Sequence, residues 1–236
     1  MNSAPVGNFA RVRKAKLSVV LDKKWLRILL LLCGFAGLVM WALLVFYSGT
    51  LAGHLLLIIA AWLTIPVLWY HGELKSLPVS QSVQSIEDVL ERQLLGAITP
   101  DSVNPQQLAE AVMRLRGGIF FANRYAISLD FLKNLSSADS ADTTQVWDYA
   151  RRFTEEMGEQ EVTAAAVTVA LIFSIPNYNF YLAQLELDGG DLQTGLQWYT
   201  HIEGVMNRLE EKTSAGGIGR DLSFGWAPQL NRAGHN

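Results

Sequence analysis

Two long apolar runs dominate the hydrophobic pattern of the N-terminal third of the chain. They cover residues 28–47 and 51–70, each 20 residues long, and only Ser48-Gly49-Thr50 separates them. No Asp, Glu, Lys or Arg occurs between residues 28 and 70. A helix rises about 1.5 Å per residue, so about 20 apolar residues cross a hydrocarbon core about 30 Å thick. The alternative is a pair of buried helices in a soluble core, but soluble helices of this length normally expose a polar face. The pattern therefore predicts a two-helix transmembrane hairpin over residues 25–71.

From residue 86 onward, hydrophobic positions recur at helical spacing and predict eight further helices. They are predicted at about residues 86–95, 104–116, 120–127, 129–135, 144–157, 164–172, 178–185 and 192–212. Asn104, Thr163 and Asp191 are interpreted as capping residues, and Gly117-Gly118 and Gly189-Gly190 as helix breaks. No segment shows the alternation of a convincing strand. The predicted fold class is therefore all-α.

The two halves of this helical region share a pattern at a constant offset of 59 residues. Val103-Asn104 corresponds to Val162-Thr163, and apolar positions follow four and then seven or eight residues after each capping side chain. This favours an eight-helix domain over residues 86–212, built as a tandem repeat of about 86–136 and 144–212. The alternative is two unrelated helical stretches that share generic capping chemistry.

The flanking segments differ sharply in charge from the helical region. Residues 1–27 carry seven Lys or Arg against one Asp, a net of +6, whereas the remainder has a net of −9. Basic residues beside a spanning helix stay on the cytoplasmic side, so we expect residues 1–24 to be a basic cytoplasmic leader and both termini to be cytoplasmic, at the plasma (inner) membrane. A disordered, solvated tail is the alternative for the leader. Residues 72–85 are predicted to be a linker and residues 213–236 a flexible tail. Nucleic acid is not an expected partner, because the folded domain lacks clustered Lys and Arg.

No constellation of residues predicts catalysis, cofactor binding or metal binding. The chain has no G-x-x-x-x-G-K-[ST] motif, and its four histidines form no set with each other or with Cys33, the single cysteine. The acidic group at Glu155, Glu156, Glu159 and Glu161 is interpreted as a solvated helix end. We expect no enzymatic activity and no cofactor from this chain itself.

Part of the second half resembles one repeat of the N-terminal domain of Clp-type (Hsp100) AAA+ chaperones. The residues that carry the resemblance are Val162-Thr163, Val167-Thr168-Val169-Ala170-Leu171, Tyr181-Leu182-Ala183-Gln184-Leu185, Leu187-Asp188 and Asp191-Leu192. Residues 227–234 are similar to the segment that links this domain to the first ATPase module in those chaperones. The resemblance implies a Clp-repeat domain that binds client proteins or adaptors in a groove between its repeats. It also implies a Clp-type ATPase or protease as a possible partner, and a hexamer set by the ATPase. ATP and Mg²⁺ would then enter only with a following ATPase module.

Aromatic side chains are the candidates for partner contact. They are Tyr178, Tyr181, Phe224 and Trp226. An ordinary core position is the favoured alternative for Phe180 and Tyr181. Together with the predicted hairpin, the resemblance implies a membrane-tethered recognition module of a Clp-type unfoldase, acting in protein quality control or proteolysis. A free-standing membrane-anchored scaffold or adaptor that binds an unrelated partner is the alternative.

Overall fold

The computed structural model of the chain describes residues 9–48, 51–75, 77, 85–99, 103–138 and 142–215. This part of the chain contains eleven α-helices and no strand. They are α1 (Phe9–Leu21), α2 (Lys24–Ser48), α3 (Leu51–Trp69), α4 (Arg92–Ala97), α5 (Pro105–Met113), α6 (Arg116–Tyr125), α7 (Leu129–Ala138), α8 (Thr143–Glu156), α9 (Ala164–Phe173), α10 (Tyr178–Ala183) and α11 (Gly189–Ala215). A π-helical turn, Tyr70–Leu74, extends α3, and a 3-10 turn, Ile86–Asp88, precedes α4. The predicted all-α class is confirmed.

Helices α2 and α3 form a tightly packed hairpin with an apolar outer surface. Two segments, Lys24–Phe46 and His54–Leu74, are long and apolar enough to cross a membrane. Small residues line the seam between the helices: a Cβ added to Gly34 would lie 2.5 Å from Thr64 Cγ2, and one added to Gly37 would lie 3.1 Å from Ala60 Cβ. The large side chains point away from the seam instead, with Phe46 85% exposed. A soluble core helix would bury such side chains.

The basic leader is not separate from the helical domain, because α1 packs directly on α4. Gly96 permits this close approach: a Cβ there would lie 2.5 Å from Val19 Cγ2 and 3.0 Å from the Ala15 carbonyl oxygen. Arg11 is buried, and its guanidinium donates to the carbonyl oxygens of Asp88 (2.8 Å) and Leu90 (2.9 Å). The disordered-tail interpretation therefore does not describe residues 9–21.

The region in which eight helices were predicted contains the eight helices α4 to α11. The first predicted segment, residues 86–95, is divided between the 3-10 turn and α4. Two predicted caps have the expected geometry: Asn104 accepts from the Gln107 N–H (2.7 Å), and Thr163 accepts from the Ala166 N–H (3.2 Å). At α11 the cap prediction was wrong by three residues. Asp188 precedes the helix and exchanges hydrogen bonds with Asp191, at 2.8 and 2.9 Å between backbone nitrogen and carboxylate oxygen. The prediction that Gly189-Gly190 break a helix was also wrong, because both lie in the first turn of α11.

Gly117 and Gly118 were predicted to end a helix, but they lie in the first turn of α6. They are needed for close packing rather than for a break. A Cβ on Gly117 would lie 2.2 Å from the Ala165 nitrogen, at the start of α9, and one on Gly118 would lie 2.2 Å from the Val112 carbonyl oxygen. The N-termini of α6 and α9 therefore touch at backbone distance.

Helix α9 is the centre of the domain. Every residue from Ala164 to Ile172 is buried, and α5, α6, α7, α8 and α11 all pack against the helix. Just before α9, Val162 forms an isolated parallel bridge with Leu90, and its N–H donates to the Val89 carbonyl (2.7 Å). Because Leu90 also accepts a hydrogen bond from Arg11 of α1, the bridge connects the docking position of α1 to the middle of the domain.

Candidate functional site

One candidate surface comprises the turn after α9 and the first residues of α10, residues 176–181, which we call the aromatic turn. Asn177 has a left-handed backbone conformation (φ 61°), which small polar residues tolerate best, and it precedes α10. All residues of the aromatic turn except Tyr178 line a shallow depression of about 480 Å³. The turn is followed by three aromatic side chains within four residues, Tyr178, Phe180 and Tyr181, and each has a different environment.

Tyr178 stacks on Phe173 of the core, with ring centroids 4.5 Å apart, so it fixes the turn rather than offering a free face. Tyr181 is half-buried and also packs against the core. Phe180 is 66% exposed, and its ring meets Tyr181 edge-on at 5.7 Å. The interpretation of Phe180 as a core residue was therefore wrong. The other two predicted contact residues, Phe224 and Trp226, lie outside the described residues.

A second candidate surface is the second half of α11. Leu192, Leu196 and Tyr199 face the core of the domain and are buried. A second set of apolar positions recurs at helical spacing from Trp198 onward: Trp198, Ile202, Val205, Met206 and Leu209. All but Ile202 are exposed, and Trp198 is covered only in part by the guanidinium of Arg124, 4.4 Å from its ring centroid. We call these five residues the α11 stripe.

A third candidate is a cleft of about 800 Å³ lined by residues of both the hairpin and the helical domain, which we call the foot cleft. At its hairpin end it is lined by Lys24, Arg27, His71 and Lys75. The remaining lining is Asp22, Tyr70, Leu77, Glu91, Arg92, Gln93, Arg116, Glu161, Glu203 and Asn207. Sequence reasoning missed this cleft because its residues come from six separate stretches of the chain.

A polar network holds the two sides of the foot cleft together. Arg92 donates to Ser18 Oγ (3.0 Å) and to Asp22 Oδ2 (2.9 Å). The Tyr70 hydroxyl donates to the other oxygen of Asp22. Arg92 belongs to α4, Asp22 lies at the junction of α1 and α2, and Tyr70 begins the π-helical turn that extends α3. The network therefore joins three parts of the chain. The position of the domain relative to the hairpin is therefore defined by specific contacts.

Three carboxyl groups of the helical domain, which we call the carboxyl wall, also line the cleft: Glu91, Glu161 and Glu203. Burial raises the pKa of Glu91, whose Oε2 accepts from the Ala164 N–H at 3.1 Å. Burial also raises the pKa of Glu161. Glu203 has its pKa raised to about 7, first by burial and then by repulsion from Glu91. Around neutral pH this wall is consequently less negative than its three carboxyl groups imply.

Within the described residues, no group of three or more His, Cys, Asp or Glu is arranged to hold a metal ion. Exposed apolar rings bind apolar segments of other proteins, and the cleft offers charge to a small polar ligand. No protein-family model, curated protein or solved structure matches the chain.

Proposed function

We propose that the chain is a membrane-tethered recognition module that captures client proteins for a Clp-type AAA+ unfoldase. The hairpin anchors it, the helical domain binds clients or adaptors, and an ATPase partner unfolds them. The observation that carries the proposal is the exposed Phe180 ring on the aromatic turn. Sixty-six per cent exposure of a phenyl ring on a fixed turn leaves an apolar contact available to unfolded chains, which expose apolar side chains themselves.

The outer surface of the hairpin supports the membrane tether. Phe35, Trp62 and Leu68 are more than half exposed, and they lie on helices with no charged residue between positions 28 and 70. In water this surface would be an extended apolar patch, whereas in a bilayer it faces hydrocarbon. We therefore place α2 and α3 across the membrane.

The contact between α1 and α4 supports the proposed orientation. Arg11 lies before the hairpin and Asp88 and Leu90 lie after it, so a hairpin with two spans leaves these partners on the same side. The excess of Lys and Arg in residues 1–27 assigns that side to the cytoplasm. Both ends of the described chain are then cytoplasmic, beside the compartment in which Clp ATPases would act.

The helix order supports the Clp-repeat assignment of the domain. Helices α5 and α9 begin 59 residues apart, each after a polar cap that accepts from the third residue of its own helix, and the two helices pack against each other. The pairs α4 and α8, α5 and α9, α6 and α10, and α7 and α11 would then be the corresponding helices of the two repeats.

The proposal is tested by flotation of the full chain in liposomes with a permanently unfolded protein, such as reduced and alkylated lysozyme. We expect the unfolded protein to float with liposomes that contain the chain. The natively folded, disulfide-bonded form of the same protein should remain at the bottom of the gradient. Equal flotation of both forms, or of neither, would contradict client recognition.

A further inference from the structure

The hairpin end of the foot cleft carries uncompensated positive charge. Lys24, Arg27 and Lys75 line it, and none of them pairs with a carboxylate among the residues that the structure describes. Asp22 lines the same cleft, but its two oxygens are occupied by Arg92 and Tyr70. Three cations thus line one cleft without an ion pair to a carboxylate among the described residues.

Arg27 is the most specific feature of this group. Its guanidinium lies over the Tyr70 ring, 4.5 Å from the centroid, in a cation–π contact. The Arg27 Nε is buried and has no hydrogen-bond partner within the described structure. Since an unsatisfied buried donor costs about 1–3 kcal/mol, an acceptor from a ligand would relieve a real penalty. The fork of N–H groups in Arg matches the oxygens of a phosphate.

The location of the three cations indicates the source of the phosphate. Lys24 is the first residue of α2, and Lys75 directly follows the π-helical turn that ends the second apolar helix. Both therefore lie where the apolar surface of the hairpin stops. If α2 and α3 span the bilayer, as the proposed function requires, this level is that of the lipid phosphates.

We propose that the foot cleft binds the phosphate ester anion of a membrane lipid, with Lys24, Arg27 and Lys75 as its ligands. A volume of about 800 Å³ accommodates a lipid headgroup. Glu91, Glu161 and Glu203 line the same cleft from the helical domain, and their raised pKa values reduce the repulsion that they exert on a bound anion. The site would fix the height of the domain above the membrane, because the lipid contacts both α2 and the end of α3.

The test is native mass spectrometry of the full chain in a neutral detergent, with short-chain phosphatidylglycerol as the probe. Diacylglycerol with the same chains lacks the phosphate and serves as the reference lipid. We expect one phosphatidylglycerol to bind at least about tenfold more tightly than diacylglycerol. The double variant Lys24→Gln/Lys75→Gln should bind it about 25-fold more weakly, since each Lys or Arg near an anionic lipid contributes about fivefold. Both lysines are exposed, so these changes leave the fold intact.

The matched control is Arg13→Gln/Arg151→Gln, which removes the same charge from exposed positions outside the cleft. It should change the affinity by less than about twofold; an equal loss in both double variants would show unspecific attraction and overturn the proposal. Arg27→Lys keeps the charge but lacks the buried Nε, so it should weaken binding several-fold. Displacement of the lipid by inorganic phosphate at equal concentration would assign the site to soluble phosphate and overturn the lipid source.

Failure of this proposal is distinguishable from failure of the membrane tether. A chain that floats with liposomes but does not select phosphatidylglycerol in detergent would refute the lipid site alone. A chain that does not associate with liposomes at all would refute the tether on which the lipid site depends.

Discussion

The contact of Arg11 with the start of the helical domain gives the sharpest test of how the leader and the domain fit together. Arg11 is 5% exposed and donates to two main-chain carbonyls, of Asp88 at 2.8 Å and of Leu90 at 2.9 Å. Arg11→Ala removes both bonds and leaves both carbonyl oxygens buried without this donor. Burial lowers the pKa of Arg11, so part of the gain from pairing offsets the cost of desolvating the guanidinium.

The magnitude follows from the two hydrogen bonds. A bond from a charged donor contributes about 1.5–3 kcal/mol, and the recovered desolvation cost reduces the sum, so we expect α1 to lose about 3 kcal/mol of its docking free energy. This corresponds to roughly a 100-fold larger equilibrium constant for opening of the α1–α4 contact. Arg11→Lys retains the charge but cannot reach both carbonyls with a planar fork, and it should lose about half as much.

Hydrogen exchange of the full chain in detergent measures this directly, because it resolves α1 and α4 separately from the hairpin. The matched control is Arg13→Ala, since Arg13 lies on the same helix but is exposed. Faster exchange confined to α1 and α4 in Arg11→Ala, with Arg13→Ala unchanged, is the expected result. Equal exchange in the two variants would refute the claim that the leader belongs to the domain.

Two further substitutions probe the packing and the charge of the domain, both by thermal unfolding in detergent. Gly117→Ala places a Cβ 2.2 Å from the Ala165 nitrogen and should destabilise the domain by about 1–3 kcal/mol. The control is Gly204→Ala in α11, where the nearest atom to the added Cβ is 3.9 Å away, so this change should stabilise the domain slightly. Equal effects of the two substitutions would contradict the close contact of α6 and α9. Because Glu203 has its pKa raised to about 7, the folded state favours its protonated form, and stability should fall as the pH rises from about 4.5 to 7. Glu203→Gln should reduce that decline while Glu155→Gln, at an exposed position, should not; parallel pH profiles would contradict the burial of Glu203.

The parts of the fold that could be predicted from sequence are those set by local chemistry. Asn104 and Thr163 begin helices α5 and α9 because their side chains accept from N–H groups three residues away. The apolar hairpin could likewise be located because each helix is uniformly apolar over its own length. These features depend on neighbours within one turn or one helix.

The errors concern contacts between distant segments. Gly117 reads as a helix break because its role, contact with Ala165 some fifty residues later, leaves no local pattern. Arg11 reads as one more charge of a basic leader because its acceptors follow the hairpin. Phe180 reads as core because its spacing does not reveal which side of the turn faces solvent. The foot cleft could not be predicted for the same reason.

The central claim is that the aromatic turn of a membrane-anchored domain captures unfolded protein, and Phe180→Ala tests it most directly. The matched control is Ile119→Ala, since Ile119 is 45% exposed on α6 and its truncation removes apolar surface elsewhere. The measurement is the dissociation constant of reduced, alkylated lysozyme for the full chain in lipid nanodiscs. Loss of an exposed aromatic contact costs more than about 1 kcal/mol, so Phe180→Ala should weaken binding about tenfold and Ile119→Ala less than about twofold. Equal affinities of the two variants and the unmodified chain would contradict the account.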